Sequence, residues 1–457
     1  MIIVVAHFYR SSKGDNPVYK HYLTNIYYKL AASIVFAVFY AFYVKGGDTV
    51  AYYEGAMVLN NVFLESPSEY FYQMFTTPEW SNYTVYFNSR TGYPPSWIFK
   101  EPEGYFVCKI ISIFYFVTFK SYFAATVILS FITAIVSWQL YRLTVEMDLF
   151  SKKYLAFAVL FIPSLNFWCT GVSKDTIVLI SLLGVIYHSF RLILPEYKNS
   201  WKNWVMIVIY LFLIWHIRFF LLIPLAVPIV YSLSTRILRR VGFGNFGVWI
   251  TRTSLLLTVI AVAASSSVNQ TEKEVLEGND LIAQAQIIQQ DFQHNETYGE
   301  KRYDLGVVEF TSTGLIKVMP KAIIYGVFAP FIWNSFTPTL ILNGLESMLF
   351  IYLIFLFFRR APLRKLAFIR NNEFLTFALL LVFILSFLTG LTAGLYGVLV
   401  RVRAPLLPFL TLLLIVDWSK VDLQKKASIR LRKHQRDVRL GIRMNPENDV
   451  IPVKHDK

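Results

Sequence analysis

Basic residues lie close to the ends of three hydrophobic blocks, where their charge could bind an anion. They form three groups: Lys174 with Asp175, His216 with Arg218, and Arg401 with Arg403. Ionisable groups at the rim of a membrane are costly unless they are paired, and by default they mark substrate paths. Snorkelling or helix capping could explain any one of these residues alone. Three groups on one side of a membrane favour a site for a negatively charged, lipid-linked ligand.

The groups are also predicted to lie at helix starts. Pro405 follows Arg401 and Arg403, and proline is favoured in the first turn of a helix. Lys174 is predicted to open another helix, with Ser173 or Asp175 as its cap. A helix N-terminus and a guanidinium fork both favour phosphate, so this pattern predicts a strong anion site.

One carboxylate stands directly after the first hydrophobic block. Asp48 follows Gly46 and Gly47, and it could act as a general base towards a sugar hydroxyl. It could equally cap the following amphipathic helix, because Asp before a helix is an ordinary N-terminal signal. Glu54 is the second choice as its partner. The external segments contain no Asp-x-Asp, His-x-x-x-His or Glu-x-x-His pair, so we expect no metal.

The composition indicates which type of structural element positions these residues. The 457 residues are 55% hydrophobic and only 16% charged, and the apolar residues come in blocks of about fifteen to twenty-five rather than in a helical stripe. This pattern predicts an all-α polytopic membrane protein of about ten transmembrane helices, within a range of about ten to twelve. The two cysteines lie in apolar stretches, so neither a disulfide framework nor a zinc site is indicated.

The net charge of +15 comes from Lys and Arg between the hydrophobic blocks and in the tail. Retention of positive loops in the cytoplasm explains this charge better than binding of nucleic acid. The rule predicts cytoplasmic termini, 1–27 and 419–457, around a membrane core, 28–418, with external segments 46–120 and 268–337. The basic tail is predicted to lie on anionic membrane lipids.

The charge of the loops also predicts which hydrophobic blocks cross the membrane and which are interfacial. The blocks 105–119 and 318–335 are predicted to be interfacial, because a crossing at 105–119 would place Lys152 and Lys153 outside. The ten predicted spans are 28–45, 121–143, 153–169, 176–192, 203–215, 219–234, 250–267, 338–358, 373–391 and 404–418.

Three features together resemble bacterial polysaccharide polymerases of the Wzy and EpsG type. They are Asp48 with Tyr52 in an aromatic external segment, the run from Pro163 to Asp175, and the pair Arg401 and Arg403 before a last helix that contains proline. These polymerases belong to the lipid-carrier-dependent glycosyltransferases with GT-C architecture. The resemblance covers hydropathy and topology over most of the chain, while its motifs are short.

The resemblance implies a transferase at the periplasmic face of the bacterial inner membrane that acts on oligosaccharides linked to undecaprenyl diphosphate. It implies further that other polysaccharide-assembly proteins are partners. The sequence departs from the metal-dependent members of this class, which use more than one acidic motif, and this departure favours a mechanism without metal or other cofactor. Tyr52 would contact the sugar, Asp48 or Asp175 would accept the proton, and His216 is a reserve candidate. The diphosphate would be held and stabilised as leaving group by Lys174, Arg218, Arg401 and Arg403.

Two other classes of function remain open. A transporter or flippase of a lipid-linked or anionic solute would use the same outer cations, but it should also carry charges or broken helices near the membrane midplane. The sequence shows neither. A non-catalytic subunit of an envelope complex would use the external segments as docking surfaces, but it would have little need for cations at three helix ends.

Overall fold

The fold is seen in a computed structural model that describes residues 1–194, 200–242, 281–294, 301–335, 337–359 and 361–421, with isolated positions between 244 and 254. Within these ranges extended pairing is limited to two isolated bridges, Phe150 with Val416 and Arg302 with Leu395. The all-α prediction is therefore confirmed. The helices are α1 (Ile2–Ser11), α2 (Tyr22–Val38), α3 (Asp48–Glu65), α4 (Pro67–Phe75), α5 (Tyr83–Tyr86), α6 (Ser96–Lys100), α7 (Pro102–Thr118), α8 (Tyr122–Glu146), α9 (Lys152–Leu160), α10 (Pro163–Trp168), α11 (Lys174–Ile193), α12 (Trp201–Arg218), α13 (Leu222–Arg240), α14 (Leu281–His294), α15 (Ser312–Phe328), α16 (Pro338–Arg359), α17 (Pro362–Asn371), α18 (Glu373–Thr392), α19 (Tyr396–Arg403) and α20 (Leu407–Leu414).

Seven helical stretches among the described residues are long and apolar enough to cross a membrane. The polytopic membrane class is thus confirmed, although ten spans were predicted. Three of the ten predicted spans have no separate counterpart among the seven. The block 250–267 falls mostly outside the described residues, 153–169 folds as two short helices, and 203–215 and 219–234 together form the single stretch Trp201–Ser234. The seven are Pro17–Val44, Tyr122–Glu146, Lys174–Ile193, Trp201–Ser234, Pro338–Arg359, Glu373–Thr392 and Tyr396–Leu414.

The stretch Trp201–Ser234 contains a sharp break. Its 34 residues would reach about 51 Å as one helix, well beyond the roughly 30 Å of a hydrocarbon core. The backbone leaves the helical region at Arg218, where φ is −152° and ψ is 72°. The break therefore lies between the two predicted spans 203–215 and 219–234.

The block predicted as the span 153–169 is interrupted by a proline. Pro163 cannot donate a backbone hydrogen bond, so α9 ends before it and α10 begins at it. The Asn166 amide replaces the missing donors, because its Nδ2 donates to the carbonyls of Leu160 at 2.9 Å and Ile162 at 2.7 Å. A side chain thus satisfies carbonyls that lipid could not.

The segment between the first two spans folds as a helical layer. In it α3 packs along α7 so closely that a Cβ on Gly55 would meet the sulfur of Cys108. The α7 helix has 17 residues and is not among the seven candidate spans. Its prediction as an interfacial helix is consistent with this packing, which places the N-terminus of α3 beside the first span.

The helix α15 lies antiparallel to the C-terminal half of α18. Cβ atoms on Gly326 and Gly390 would overlap the carbonyls of Ser386 and Ala322 respectively, so the two backbones are in direct contact. Ser386 is six residues before the end of α18, a depth of about 9 Å along the helix axis. The chain then returns through the short helical turn Ile332–Asn334 to α16. The block 318–335, which was predicted to be interfacial, therefore packs on α18 and turns back to α16.

Lys29, Glu346 and Arg403 are ionisable residues that lie inside membrane-spanning stretches. Lys29 and Arg403 are fully buried, and Glu346 on α16 is partly buried. Glu346 accepts hydrogen bonds from the hydroxyl of Ser164 at 2.6 Å and from its backbone N–H at 3.2 Å, so it caps the N-terminus of α10. The expectation that such charges and broken helices are missing is therefore wrong. Glu346 escaped notice because it lies within an otherwise apolar block, whereas Lys29 and Arg403 were at predicted helix starts.

Candidate functional site

A cavity of ≈1600 Å³ lies where the ends of several helices meet. Its walls come from the end of α2 and the start of α3, the start of α11, the end of α12, the start of α16 and the helix α19. Six of the eight predicted site residues line it. They are Asp48, Tyr52, Lys174, Asp175, Arg218 and Arg401.

The most buried ion pair of the cavity joins α11 to α12. Arg218 Nη2 lies 2.8 Å from Asp175 Oδ1, with side chains only 17% and 7% exposed. Asp175 is held there because Ser173, not Asp175, caps α11 by accepting a hydrogen bond from the Thr176 N–H at 3.2 Å. Arg218 reaches it from the last residue of α12, where the helix breaks.

A second pair joins residues at opposite ends of the chain. Arg401 Nη1 lies 3.4 Å from Asp48 Oδ2, and both side chains are partly exposed to the cavity. The alternative that Asp48 acts only as a cap is wrong, because Gly47 is the N-cap residue and no side chain caps α3. The Asp48 carboxylate, in the first turn of α3, is instead directed at a guanidinium.

The predicted helix start after Arg401 also needs correction. Arg401 and Arg403 lie in the last turn of α19, not before a helix N-terminus. A short 3-10 turn with Pro405 then leads into α20. Arg401 therefore contributes its own charge to the cavity, without the dipole of the last helix.

The third pair includes a residue that the sequence analysis missed. Lys174 Nζ donates to Glu101 Oε2 at 2.8 Å, and both side chains line the cavity. Glu101 lies in the predicted external segment 46–120, and the sequence analysis did not name it as a site residue. Nothing in its local sequence distinguishes it, because its partner is 73 positions away.

Neutral and aromatic groups complete the polar end of the cavity. Tyr52 is 2% exposed, and burial, with Asp48 nearby, raises the pKa of its phenol well above the usual value. Its hydroxyl is therefore a neutral donor at physiological pH. Trp97, Trp168 and Lys301 also line the cavity, and the sequence analysis named none of them as site residues.

One wall of the cavity is apolar and continues along the first membrane span. Val35, Phe42 and Tyr43 all line it and are more than half exposed. The start of α16 at Pro338 and Leu340 also lines this part of the cavity. The cavity is thus amphipathic, with ion pairs at one end and an exposed apolar helix surface beside them.

Two predicted site residues lie outside this cavity. Arg403 is fully buried, and its Nη1 donates to the carbonyls of Val327 at 3.1 Å and Ala329 at 2.6 Å and to Ser347 Oγ at 3.0 Å. It therefore holds the C-terminal end of α15. His216 stacks on Phe106 with ring centroids 4.7 Å apart.

In each of the three pairs, a carboxylate holds the cation in place and neutralises its charge. An entering dianion can replace the carboxylates as partner of two guanidinium groups and one ammonium group, and it offers more oxygen acceptors than each of them. The displaced carboxylates would then be free to accept a proton. The arrangement can therefore bind an anion and generate a base in the same step.

Metal binding finds no support in the described ranges, where no three His, Cys, Asp or Glu side chains form a cluster that could hold an ion. Comparison with protein families, curated proteins and solved structures gives no match to this chain.

Proposed function

We propose that the protein is a glycosyltransferase that polymerises oligosaccharide units carried on undecaprenyl diphosphate, at the periplasmic face of a bacterial inner membrane. The observation that carries the proposal is the amphipathic cavity. Its three cation–carboxylate pairs suit a diphosphate, and the exposed surface of α2 beside them suits a polyprenyl chain. A soluble anion would need no such apolar wall.

Binding begins with an exchange of partners. The diphosphate oxygens take Arg218, Arg401 and Lys174 from Asp175, Asp48 and Glu101. Charge-assisted hydrogen bonds to phosphate are about twice as strong as neutral ones, and a guanidinium can make two in parallel. The cations then lie where negative charge develops as the diphosphate leaves, which is the arrangement that contributes most to catalysis.

In the transfer step the hydroxyl oxygen of the acceptor sugar attacks the anomeric carbon of the donor. The bond from that carbon to the diphosphate oxygen breaks, and the diphosphate leaves with the electron pair. The proton of the hydroxyl passes to a carboxylate. Asp175 is the first candidate because it is the most buried of the three carboxylates and loses its only ion-pair partner among the described residues, and Asp48 is the second.

A transporter or flippase is the second candidate function. Lys29, Glu346 and Arg403 lie within membrane-spanning stretches, and the chain is broken between α9 and α10. Charges and helix breaks at membrane depth are typical of transporters. The cavity would then bind the lipid-linked unit for movement across the membrane rather than for transfer. A non-catalytic role in an envelope complex leaves the three ion pairs unexplained.

The test is glycan chain length in cells that lack the chromosomal copy. The polymerase account expects single repeat units on the lipid carrier after deletion, long chains with the wild-type gene, and single units with Arg401→Ala or Asp175→Asn at matched membrane levels. Arg142→Ala is the matched control, because Arg142 forms an ion pair with Glu146 outside the cavity. A glycan profile that deletion leaves unchanged would overturn the proposal for that glycan.

A further inference from the structure

Trp97 is an exposed aromatic residue of the cavity wall, on the short helix α6 outside the membrane-spanning stretches. Its side chain is 45% exposed. Among the described aromatic residues of this wall, only Phe42 and Tyr43 exceed that exposure, and they belong to the apolar part along the first span. Tyr52, for which the resemblance implied a sugar contact, is 2% exposed, so it can offer its hydroxyl but not the face of its ring. Trp97 therefore supplies the open aromatic surface beside the ion pairs.

A carboxylate of the cavity lies one helical turn from Trp97. Glu101 follows four residues later, at the junction of α6 and α7, and residues four apart on a helix share a face. Ile98 and Phe99 point to the other side, where they are buried and anchor α6. A Cβ on Gly104 would lie 3.1 Å from Glu101 Oε2, so this glycine leaves room for the carboxylate. The ring and the carboxylate thus line the same cavity from one fixed helix.

These two groups restrict the chemistry of a ligand that touches both. An ionised carboxylate only accepts hydrogen bonds, and the face of an aromatic ring carries partial negative charge. A ligand must therefore bring hydrogen-bond donors and a face of polarised C–H groups. A phosphate group has neither. A sugar ring has both, because its hydroxyls project from the rim and its C–H groups form the faces.

The carboxylate also lies next to a cation of the anion site. Lys174 Nζ donates to Glu101 Oε2 at 2.8 Å. A phosphate oxygen bound to Lys174 at about 2.8 Å would lie within about 6 Å of this carboxylate, which is close enough for a sugar attached to the phosphate to reach it. Diphosphate binding would also free Glu101 from Lys174, so that its oxygens could accept hydrogen bonds from hydroxyl groups.

We propose that Trp97 and Glu101 form the subsite for the sugar ring attached to the diphosphate. The Trp97 ring stacks on the C–H face of the sugar, and the Glu101 carboxylate accepts hydrogen bonds from its hydroxyls. The subsite holds the ring that carries the reacting anomeric carbon, so it contributes to the choice of sugar. The inference rests on the anion site of the proposed function.

The test compares two ligands of equal charge. Farnesyl glucosyl diphosphate and farnesyl methyl diphosphate share the apolar chain and both ionised phosphates, but only the first has a sugar ring. Calorimetric titration of the purified full-length protein in detergent gives a dissociation constant for each ligand. Wild type should bind the glucosyl compound at least about tenfold more tightly, because stacking and a charge-assisted hydrogen bond both add to its affinity.

Substitution of either residue should lower this preference. Trp97→Ala should reduce it by about two- to tenfold and leave binding of the methyl compound unchanged, whereas Trp97→Phe should retain part of it. Glu101→Gln should also reduce it, yet this variant should bind the methyl compound up to about fivefold more tightly, because Lys174 then has no carboxylate partner to give up.

Two matched controls come from the same part of the chain. Trp80 is 50% exposed, and Glu103 lies in the first turn of α7, but neither residue lines the cavity. Trp80→Ala and Glu103→Gln should therefore keep the wild-type preference.

The outcomes separate the two proposals. Equal binding of both ligands by wild type, or a preference that Trp97→Ala or Glu101→Gln leaves unchanged, would overturn the sugar subsite and leave the anion site intact. An equal loss of affinity for both ligands in Trp97→Ala would also overturn it, because Trp97 would then support the fold or anchor it at the membrane surface. No binding of either ligand by wild type would overturn the anion site and the inference together.

Discussion

Replacement of Arg403 should destabilise the fold, whereas replacement of Arg401 should leave the fold intact and abolish function. Arg403 Nη1 makes three hydrogen bonds, two of them to the last carbonyls of α15. At about 1.5 kcal/mol each they contribute roughly 4–5 kcal/mol. The Nε and Nη2 atoms are buried without partners among the described residues, and relief of that cost offsets part of the loss. We expect Arg403→Met to lower stability by about 2–4 kcal/mol.

The assay compares the thermal stability and the activity of the Arg401 and Arg403 variants. Unfolding of purified Arg403→Met in detergent should occur at clearly lower temperature, and Ser347→Ala, which removes one of the three bonds, should cost about 1 kcal/mol. Arg401→Ala should unfold like wild type, because its partner Asp48 is half exposed. Normal stability of Arg403→Met together with a loss of diphosphate binding would refute the reasoning and restore Arg403 as a ligand of the substrate.

Three more predictions concern the elements around the site, and thermal unfolding in detergent checks each of them. Gly390→Ala should destabilise by about 1–3 kcal/mol or more, because its Cβ would overlap a backbone carbonyl of α15, whereas Gly46→Ala, with open space around it, should change little. Glu346→Ala should cost about 1–3 kcal/mol, because it leaves the Ser164 N–H and hydroxyl without their acceptor; an unchanged melting temperature would contradict this. Burial lowers the pKa of Lys109 from 10.5 to about 8, so the unfolded chain binds more protons between these values, stability should rise with pH across that window, and Lys109→Met should remove this rise.

The charge of the loops alone predicted that most of the cavity residues lie on one side of the membrane. Asp48, Lys174, Arg218 and Arg401 come from four distant segments, yet the positive-inside rule placed all of them outside, and the structure arranges them around one cavity. Their pairing could not be predicted, because an ion pair such as Arg401 with Asp48 depends on packing between segments 353 residues apart.

The different roles of Arg401 and Arg403 escaped prediction for a physical reason. Residues two positions apart on a helix point to different faces, but the helix was predicted to begin only after them. Once α19 is seen to contain both, one arginine must face the cavity and the other the protein interior. In a similar way, Lys29 could not be distinguished from a cytoplasmic lysine, because it lies at the predicted start of the first span.

Reconstitution of the purified protein into liposomes with a labelled oligosaccharide on undecaprenyl diphosphate tests the central claim most directly. Mass spectrometry of the products should show chains of two or more units on one carrier, together with released undecaprenyl diphosphate, for wild type and for Arg142→Ala. Arg401→Ala and Asp175→Asn should give neither product. Recovery of only single units with wild type, accompanied by their appearance in the opposite leaflet, would contradict the transferase account and establish transport instead.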